Sequence, residues 1–328
     1  MKRILVSPLN WGLGHATRLA AMIRVLRKHA QITIGGNGDS WRYLQHMFPD
    51  LPALAIPGIE VKLDNKRWKN KLLLASQIPD FLQATKAEHN WLNEHVSQFD
   101  MVISDNRYGL HHPFIRSVMI THQPTVGEYM ITRKLSDRWL GTYLKHFNEI
   151  WIPDDVQVAL TQAWHKPVLD KYTCRFIGFW SLWPADIVPK KDGKWLVLAS
   201  GPQPGRKHLV TYLKEYLRDD CLVADGLSMN ELVPLLKNCK GIFAKCGYST
   251  IMDILTTSLP ASLIPTPGQA EQEHLSKHAF LQKRFLMQTM EGIHKSGTLS
   301  LPTFPEENKL HASVNNANLL VSLLYENN

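Results

Sequence analysis

The chain has 328 residues, 44% hydrophobic and 20% charged, a globular composition too long for one ordinary core and natural for two α/β domains. Its 37 basic and 29 acidic residues give a formal charge of +8, which suits a phosphorylated small molecule or an anionic lipid surface; without helix-turn-helix, RNA-recognition or zinc-finger patterns, nucleic acid is set aside as a partner. No run of about 18 uncharged apolar residues is present, Cys174, Cys221, Cys239 and Cys246 form neither a C-x-x-C pair nor a disulfide framework, and Met1 leads directly into a strand, so a reducing cytoplasm is expected.

In chain order, Lys2-Arg3-Ile4-Leu5-Val6-Ser7-Pro8 reads as a short buried strand, followed by a Gly-rich turn and a helical pattern over Thr17–His29. Strand Gln31–Gly35, helix Ser40–Met47 and strand Leu54–Ile56 come next. The spacing then predicts helix Ile78–His95, strands Met101–Ser104 and Val118–Thr121, helix Lys134–Lys145 and strand Glu149–Ile152. Turn formers between Phe176 and Gly193 interrupt the pattern and mark a domain boundary. A second series follows: strand Trp195–Ala199, helix His208–Leu217, strand Leu222–Ala224, helix Met229–Leu236 and strand Gly241–Ala244. Helix Thr250–Thr256, strand Ala261–Ile264, helix Gln272–Lys283 and a closing helix over Leu310–Leu324 complete it. Such alternation predicts an α/β chain of two Rossmann-like domains, each with a parallel sheet covered on both faces.

The first loop, Asn10-Trp11-Gly12-Leu13-Gly14-His15-Ala16-Thr17-Arg18, lies at the carboxyl edge of the first sheet, where ligands bind and glycines admit close approach. A dinucleotide fingerprint is disfavoured, because Thr17 replaces the third glycine and the second strand ends in Gly35-Gly36-Asn37 rather than an acid. His15 is poised to take a proton near neutral pH, and Asp105, expected at the same edge, can orient it; a helix-start histidine bonded to nearby backbone is the bland alternative.

In the second half, Gly241-Ile242-Phe243-Ala244-Lys245-Cys246-Gly247-Tyr248-Ser249-Thr250-Ile251-Met252-Asp253 sets a strand, a glycine turn and a helix start in sequence. Free N–H groups and a positive dipole there suit a diphosphate, with Gly247 admitting it and Thr250 donating a hydroxyl. Asp253 is expected on the first helical turn, within reach of ribose hydroxyls or there to complement the dipole. The polar stretch Pro265–His274, with Glu271 and Gln272, can grip sugar hydroxyls, and Ser200-Gly201-Pro202-Gln203-Pro204-Gly205-Arg206 offers another phosphate loop or a solvated turn.

Together these pieces resemble the GT-B glycosyltransferases, and within them the MurG-type N-acetylglucosaminyltransferases (glycosyltransferase family 28) and related UDP-sugar transferases, over nearly the whole chain. Gly12-Leu13-Gly14-His15 resembles the family's N-terminal loop and Cys246–Asp253 its donor-site turn and helix. Asp253 stands where the family usually has Glu, and Pro202, which cannot donate an N–H, interrupts the usual phosphate loop. The resemblance implies two sheets facing across a cleft. An acceptor-binding domain would span residues 1–180 and a donor-binding domain residues 181–328, with a last helix that can return to the first domain. It further implies His15 and Asp105 as catalytic residues, His122 and Gln123 on the acceptor side, and Gly14, Ser200, Gly201, Arg206, Met229, Gly247, Tyr248, Ser249, Thr250, Asp253, Glu271 and Gln272 on the donor. The co-substrate would be a nucleotide sugar, UDP-linked by likeness, with no metal or other cofactor.

The expected reaction is transfer of a hexosyl or N-acetylhexosaminyl group with inversion: His15 deprotonates an acceptor hydroxyl, which displaces the diphosphate at C1. Lys66-Arg67-Trp68-Lys69-Asn70-Lys71-Leu72-Leu73-Leu74 is either an interfacial segment facing anionic lipid or a loop leading into a core helix. A lipid-linked or cell-envelope acceptor, met at the inner face of the cytoplasmic membrane, is compatible with the first reading. A nucleotide-sugar 2-epimerase and a catalytically silent nucleotide-sugar binding protein are the alternatives.

Overall fold

A computed structural model describes residues 1–59, 76–123, 138–161, 169–200, 205–267, 269–303 and 314–326. Of these, the first compact unit holds the residues up to Trp180 together with 314–326, and the second holds 181–303.

The first unit is built on a seven-stranded sheet in the order β3-β2-β1-β4-β5-β6-β7, parallel throughout. The strands are β1 (Arg3–Pro8), β2 (Gln31–Gly36), β3 (Ala53–Ala55), β4 (Met101–Asp105), β5 (Arg116–Ile120), β6 (Glu149–Ile152) and β7 (Cys174–Phe176). Ile4, Leu5 and Val6 of β1 are buried in succession, the pattern of a central parallel strand whose two faces both meet helices. Those helices include α1 (Leu13–Leu26), α2 (Gly38–Met47) and α3 (Ile78–His95), with a further helical stretch at 138–144. α1 lays Ala16, Leu19, Ala20, Met22, Ile23 and Leu26 on the core. Chain order reverses between the adjacent strands β1 and β4, so their carboxyl ends open the crevice where open α/β sheets bind ligands.

The second unit has a five-stranded parallel sheet in the order β12-β11-β10-β8-β9. Its strands are β8 (Lys194–Leu198), β9 (Cys221–Ala224), β10 (Cys239–Lys245), β11 (Ala261–Ile264) and β12 (Leu286–Met287). Its helices are α4 (Gly205–Leu217), α5 (Met229–Asn238), α6 (Tyr248–Leu255), α7 (Ala270–Ser276), α8 (Ala279–Arg284) and α9 (Met290–Ser296). Here the order reverses between β8 and β10, so the start of α4 and the start of α6 lie at one sheet edge.

α10 (Ala317–Tyr325) belongs to the first unit and packs on α1. Lys2 Nζ donates to Leu324 O and Arg116 Nη1 to Leu323 O, both at 2.6 Å. Lys2, just before β1, and Arg116, at the start of β5, thus satisfy carbonyls that the last helical turn leaves open.

The structure departs from the sequence reading in several places. The single helix expected over Gln272–Lys283 is two, because His278 turns to ψ 122° and caps a new helix, while the Gln282 amide donates to the Ser276 carbonyl left behind. Strands β7 and β12 and helix α9 were not foreseen. α9 carries a legible signature in Thr289, whose hydroxyl accepts from Gly292 N at 3.0 Å, and in Gly297, left-handed at φ 68°. The closing helix starts at Ala317 rather than near Leu310, with the Asn316 side chain accepting from Leu319 N. The helix expected at Lys134–Lys145 is described only over 138–144.

Candidate functional site

At the β1–α1 turn, Gly12 caps the helix with φ 74° and ψ 166°, a conformation that side chains resist, so glycine is required there. The turn puts His15 in the first turn of α1 and Asp105 at the end of the neighbouring strand, where Pro8 and Asp105 stand in register. His15 Nδ1 lies 2.8 Å from Asp105 Oδ1. An ionised carboxylate only accepts, so the ring donates from Nδ1, which leaves the Nε2 lone pair available as a base.

Asp105 is fully buried and would be costly as a lone anion. Burial pushes its carboxyl upward, but the Arg18 guanidinium and the His15 ring more than offset this and hold it below the usual carboxylate range. Arg18 Nη2 reaches Oδ1 at 2.6 Å and Oδ2 at 2.7 Å. Immediately after the strand, Asn106 adopts φ 58°, a left-handed turn that Asn tolerates better than most residues, and the chain folds back to Tyr108. Burial, then the nearby Asp105 charge, drives the Tyr108 hydroxyl pKa well up.

His122 and Gln123 follow β5, whose last residue, Ile120, pairs with Asp105, so both lie at this same edge. Both are half-buried, and Gln123 N donates to Thr121 Oγ1 at 3.2 Å. Gly14 is in the first turn of α1, where its carbonyl accepts from Thr17 Oγ1 at 3.2 Å.

In the second unit, β10 ends at Lys245 and α6 begins at Tyr248 with Gly247 as N-cap. Among the described residues, no side-chain hydrogen bond caps this helix start. Gly247 has φ −85° and ψ 144°, ordinary for any residue, and a Cβ there would meet only Thr250 Oγ1 at 3.8 Å. The glycine is therefore not a backbone necessity; it keeps the approach to the α6 N–H groups open. Ser249 and Thr250 are half-buried in the first turn, whereas Tyr248 is buried.

Lys245 was not anticipated. It is 6% exposed, its ammonium has no ion-pair or hydrogen-bond partner among the described residues, and that ammonium lies 3.2 Å from where a Cβ on Gly205 would stand. Burial, then the Arg206 charge, lowers its pKa. Arg206, in the first turn of α4, pairs with Asp225 at 2.5 Å, while its Nε is buried without a hydrogen-bond partner among the described residues. A buried lysine and a buried arginine N–H, both without a partner among the described residues and beside a helix start, are chemistry that suits an anion. The signal was present, since Lys245 directly precedes the glycine turn at the end of a strand.

Asp253 differs from expectation. α6 starts at Tyr248, so Asp253 is on the second turn and does not complement the helix dipole. Its carboxyl accepts from Ser181 Oγ, which itself accepts from Trp183 N at 3.0 Å. Burial raises the Asp253 carboxyl to about 7, against the lowering effect of Ser181. Gln272 is buried with both amide ends engaged: Oε1 accepts from Thr266 N at 2.9 Å, and Nε2 donates to Gln269. It shapes the loop between β11 and α7 from within, whereas Glu271 is half-buried beside it. Met229 opens α5 behind the Ser228–Glu231 capping box. Ser200 follows β8 and is half-buried, while Gly201 and the segment Lys66–Leu74 lie outside the described residues.

No family model matches the chain, and no curated protein matches it in sequence. Solved structures do resemble it. The glycosyltransferase SnogD from Streptomyces nogalater aligns over 98% of this chain and 98% of its own, with a TM-score of 0.62 and 12% identity. UGT89C1 of Arabidopsis thaliana, solved with UDP-L-rhamnose, aligns over 99% and 90%, with a TM-score of 0.56 and 15% identity. The spinosyn rhamnosyltransferase SpnG aligns over 88% and 86%, with a TM-score of 0.57 and 14% identity. The fold of this chain is GT-B, two Rossmann-like units with parallel sheets, as in these glycosyltransferases.

Proposed function

We propose that this chain is an inverting glycosyltransferase of the MurG-like, family 28 type that takes a hexosyl or N-acetylhexosaminyl group from a UDP-sugar without a metal ion. The observation that carries the reading is the His15 Nδ1 contact with Asp105 Oδ1 at 2.8 Å, at the strand edge where chain order reverses. His15 Nε2 takes the proton of an acceptor hydroxyl as its oxygen attacks C1 of the donor sugar. The bond from C1 to the diphosphate oxygen breaks, its electron pair leaves on the diphosphate, and the anomeric configuration inverts. The α6 N–H groups with Thr250, together with Lys245 and Arg206, receive that charge as fixed cations and dipoles. Asp253 and Glu271 are assigned to ribose and sugar hydroxyls, Gln272 to holding their loop, and His122 and Gln123 to the acceptor.

Support for a nucleoside diphosphate comes also from neighbours of the same fold: UGT89C1 was solved with UDP-L-rhamnose and SpnG with thymidine diphosphate. The acceptor is assigned to a lipid-linked or cell-envelope molecule, reached by a cytoplasmic enzyme touching the membrane surface. The formal charge of +8 and the basic, aromatic run Lys66–Leu74 support that assignment. Among the described residues no helix is long and apolar enough to cross a membrane.

Thermal-shift measurements with UDP, dTDP and GDP and their sugars test the donor, since a ligand that binds only the folded state raises its stability. Stabilisation by UDP compounds is expected, and indifference to all of them contradicts the proposal. UDP-N-acetylglucosamine incubated alone separates transfer from 2-epimerisation, which needs no acceptor.

A further inference from the structure

Arg18 is 1% exposed, and packing a helix on a sheet does not by itself call for a buried guanidinium. It follows His15 by three positions, so the two share a face of α1. Arg18 Nε lies 3.1 Å from Asp105 Oδ2, and Nη2 lies within 2.7 Å of both carboxylate oxygens. Oδ1, the oxygen that meets the imidazole, is thus held from two sides. Arg18 Nη2 is also 3.4 Å from His15 Nδ1, against 2.8 Å for the carboxylate oxygen. Were Arg18 to donate to Nδ1, the ring proton would move to Nε2 and the base would be lost. The shorter contact keeps the productive tautomer.

We infer that Arg18 is a positioning residue for the His15–Asp105 pair: it fixes the carboxylate so that Oδ1 receives the ring N–H, and it shares the carboxylate charge that the ring would otherwise face alone. The inference rests on the base role proposed for His15. A buried carboxylate with no cation would draw a proton onto the adjacent imidazole, whereas a protonated ring beside Arg18 would face a like charge. Among the described residues, the charged and titratable groups facing His15 are Asp105 from the end of β4, Arg18 from α1 and, across Asp105, Tyr108 from the following loop.

Arg18→Gln and Arg18→Lys separate the two effects. Release of UDP from UDP-N-acetylglucosamine over a panel of acceptors gives the pH profile of kcat/KM. The ring NMR signals of His15, assigned against His15→Gln, follow the same protonation without turnover. In Arg18→Gln both should move to higher pH by about one unit, because the carboxylate charge is no longer shared. Arg18→Lys keeps the charge but loses the two-point grip, so its profile should stay in place while kcat falls about tenfold with donor KM unchanged. If Arg18→Gln does not fold, that kcat-against-KM split in Arg18→Lys decides alone. An unmoved profile and unmoved ring signals in Arg18→Gln, or wild-type kcat in Arg18→Lys, overturn the inference, as does activity that merely follows the folded fraction. Full turnover by His15→Ala instead removes the base assignment on which it stands.

Discussion

Asp253 offers a stability prediction whose size can be worked from the structure. Among the described residues its carboxyl has one side-chain donor, Ser181, and burial raises it to about 7 from an ordinary 3.8. The unfolded chain ionises this group near its ordinary value, so the folded state binds the proton more tightly. Stability from this group is therefore fully present below about pH 4 and is lost as pH rises through about 7. Three pKa units correspond to about 4 kcal/mol, and because Asp253 is only half-buried by area, about 2–4 kcal/mol is the expected range. Asp253→Asn keeps an oxygen to accept from Ser181 but carries no charge. Urea denaturation of both proteins, near pH 5 and near pH 8, reads the difference. The variant should be more stable than the parent by about 2–4 kcal/mol near pH 8, with most of that gain gone near pH 5. Equal destabilisation of the variant at both pH values would refute the reasoning, because it would mean that packing rather than ionisation dominates at this position. The same variant should bind UDP-sugars more weakly at high pH, where the parent carboxylate can accept from ribose hydroxyls.

Further outcomes follow from the two sheet edges. Lys245→Met removes a buried cation that has no partner among the described residues, so the fold should hold or gain stability while affinity for UDP drops about tenfold to a hundredfold by calorimetry. Unchanged affinity would take Lys245 out of the diphosphate site. Asp105→Asn should lower kcat by a factor of about 10² or more with little change in donor binding, since the ring tautomer is no longer enforced. If the acceptor is lipid-borne, the protein should sediment with anionic liposomes at low salt and be released as salt screens the charge. No binding to such liposomes at low salt would remove the membrane assignment.

The strand-helix alternation was legible because parallel strands are continuously apolar and the helices between them carry their own spacing; α3 was read with both ends correct, at Ile78 and His95. β7 and β12, of three and two residues, are too short to show any period. The break at His278 follows from one backbone turn that the surrounding helical pattern conceals. The nearness of His15 to Asp105 could be inferred from strand ends alone, since parallel strands bring their carboxyl ends together. Arg18 and Lys245 escaped because a cation is expected at the surface, and only the register of the sheet and the entry angle of a helix put these two inside. A helix beginning at Thr250 puts Asp253 on its first turn; α6 begins at Tyr248, so Asp253 stands on the second turn, where its carboxyl accepts from Ser181.

The most direct test of the central claim is His15→Ala, measured for both UDP-sugar affinity and transfer in the same preparation. The account predicts donor binding close to that of the parent and a loss of turnover by a factor of about 10² to 10⁴. Turnover equal to the parent's would contradict it.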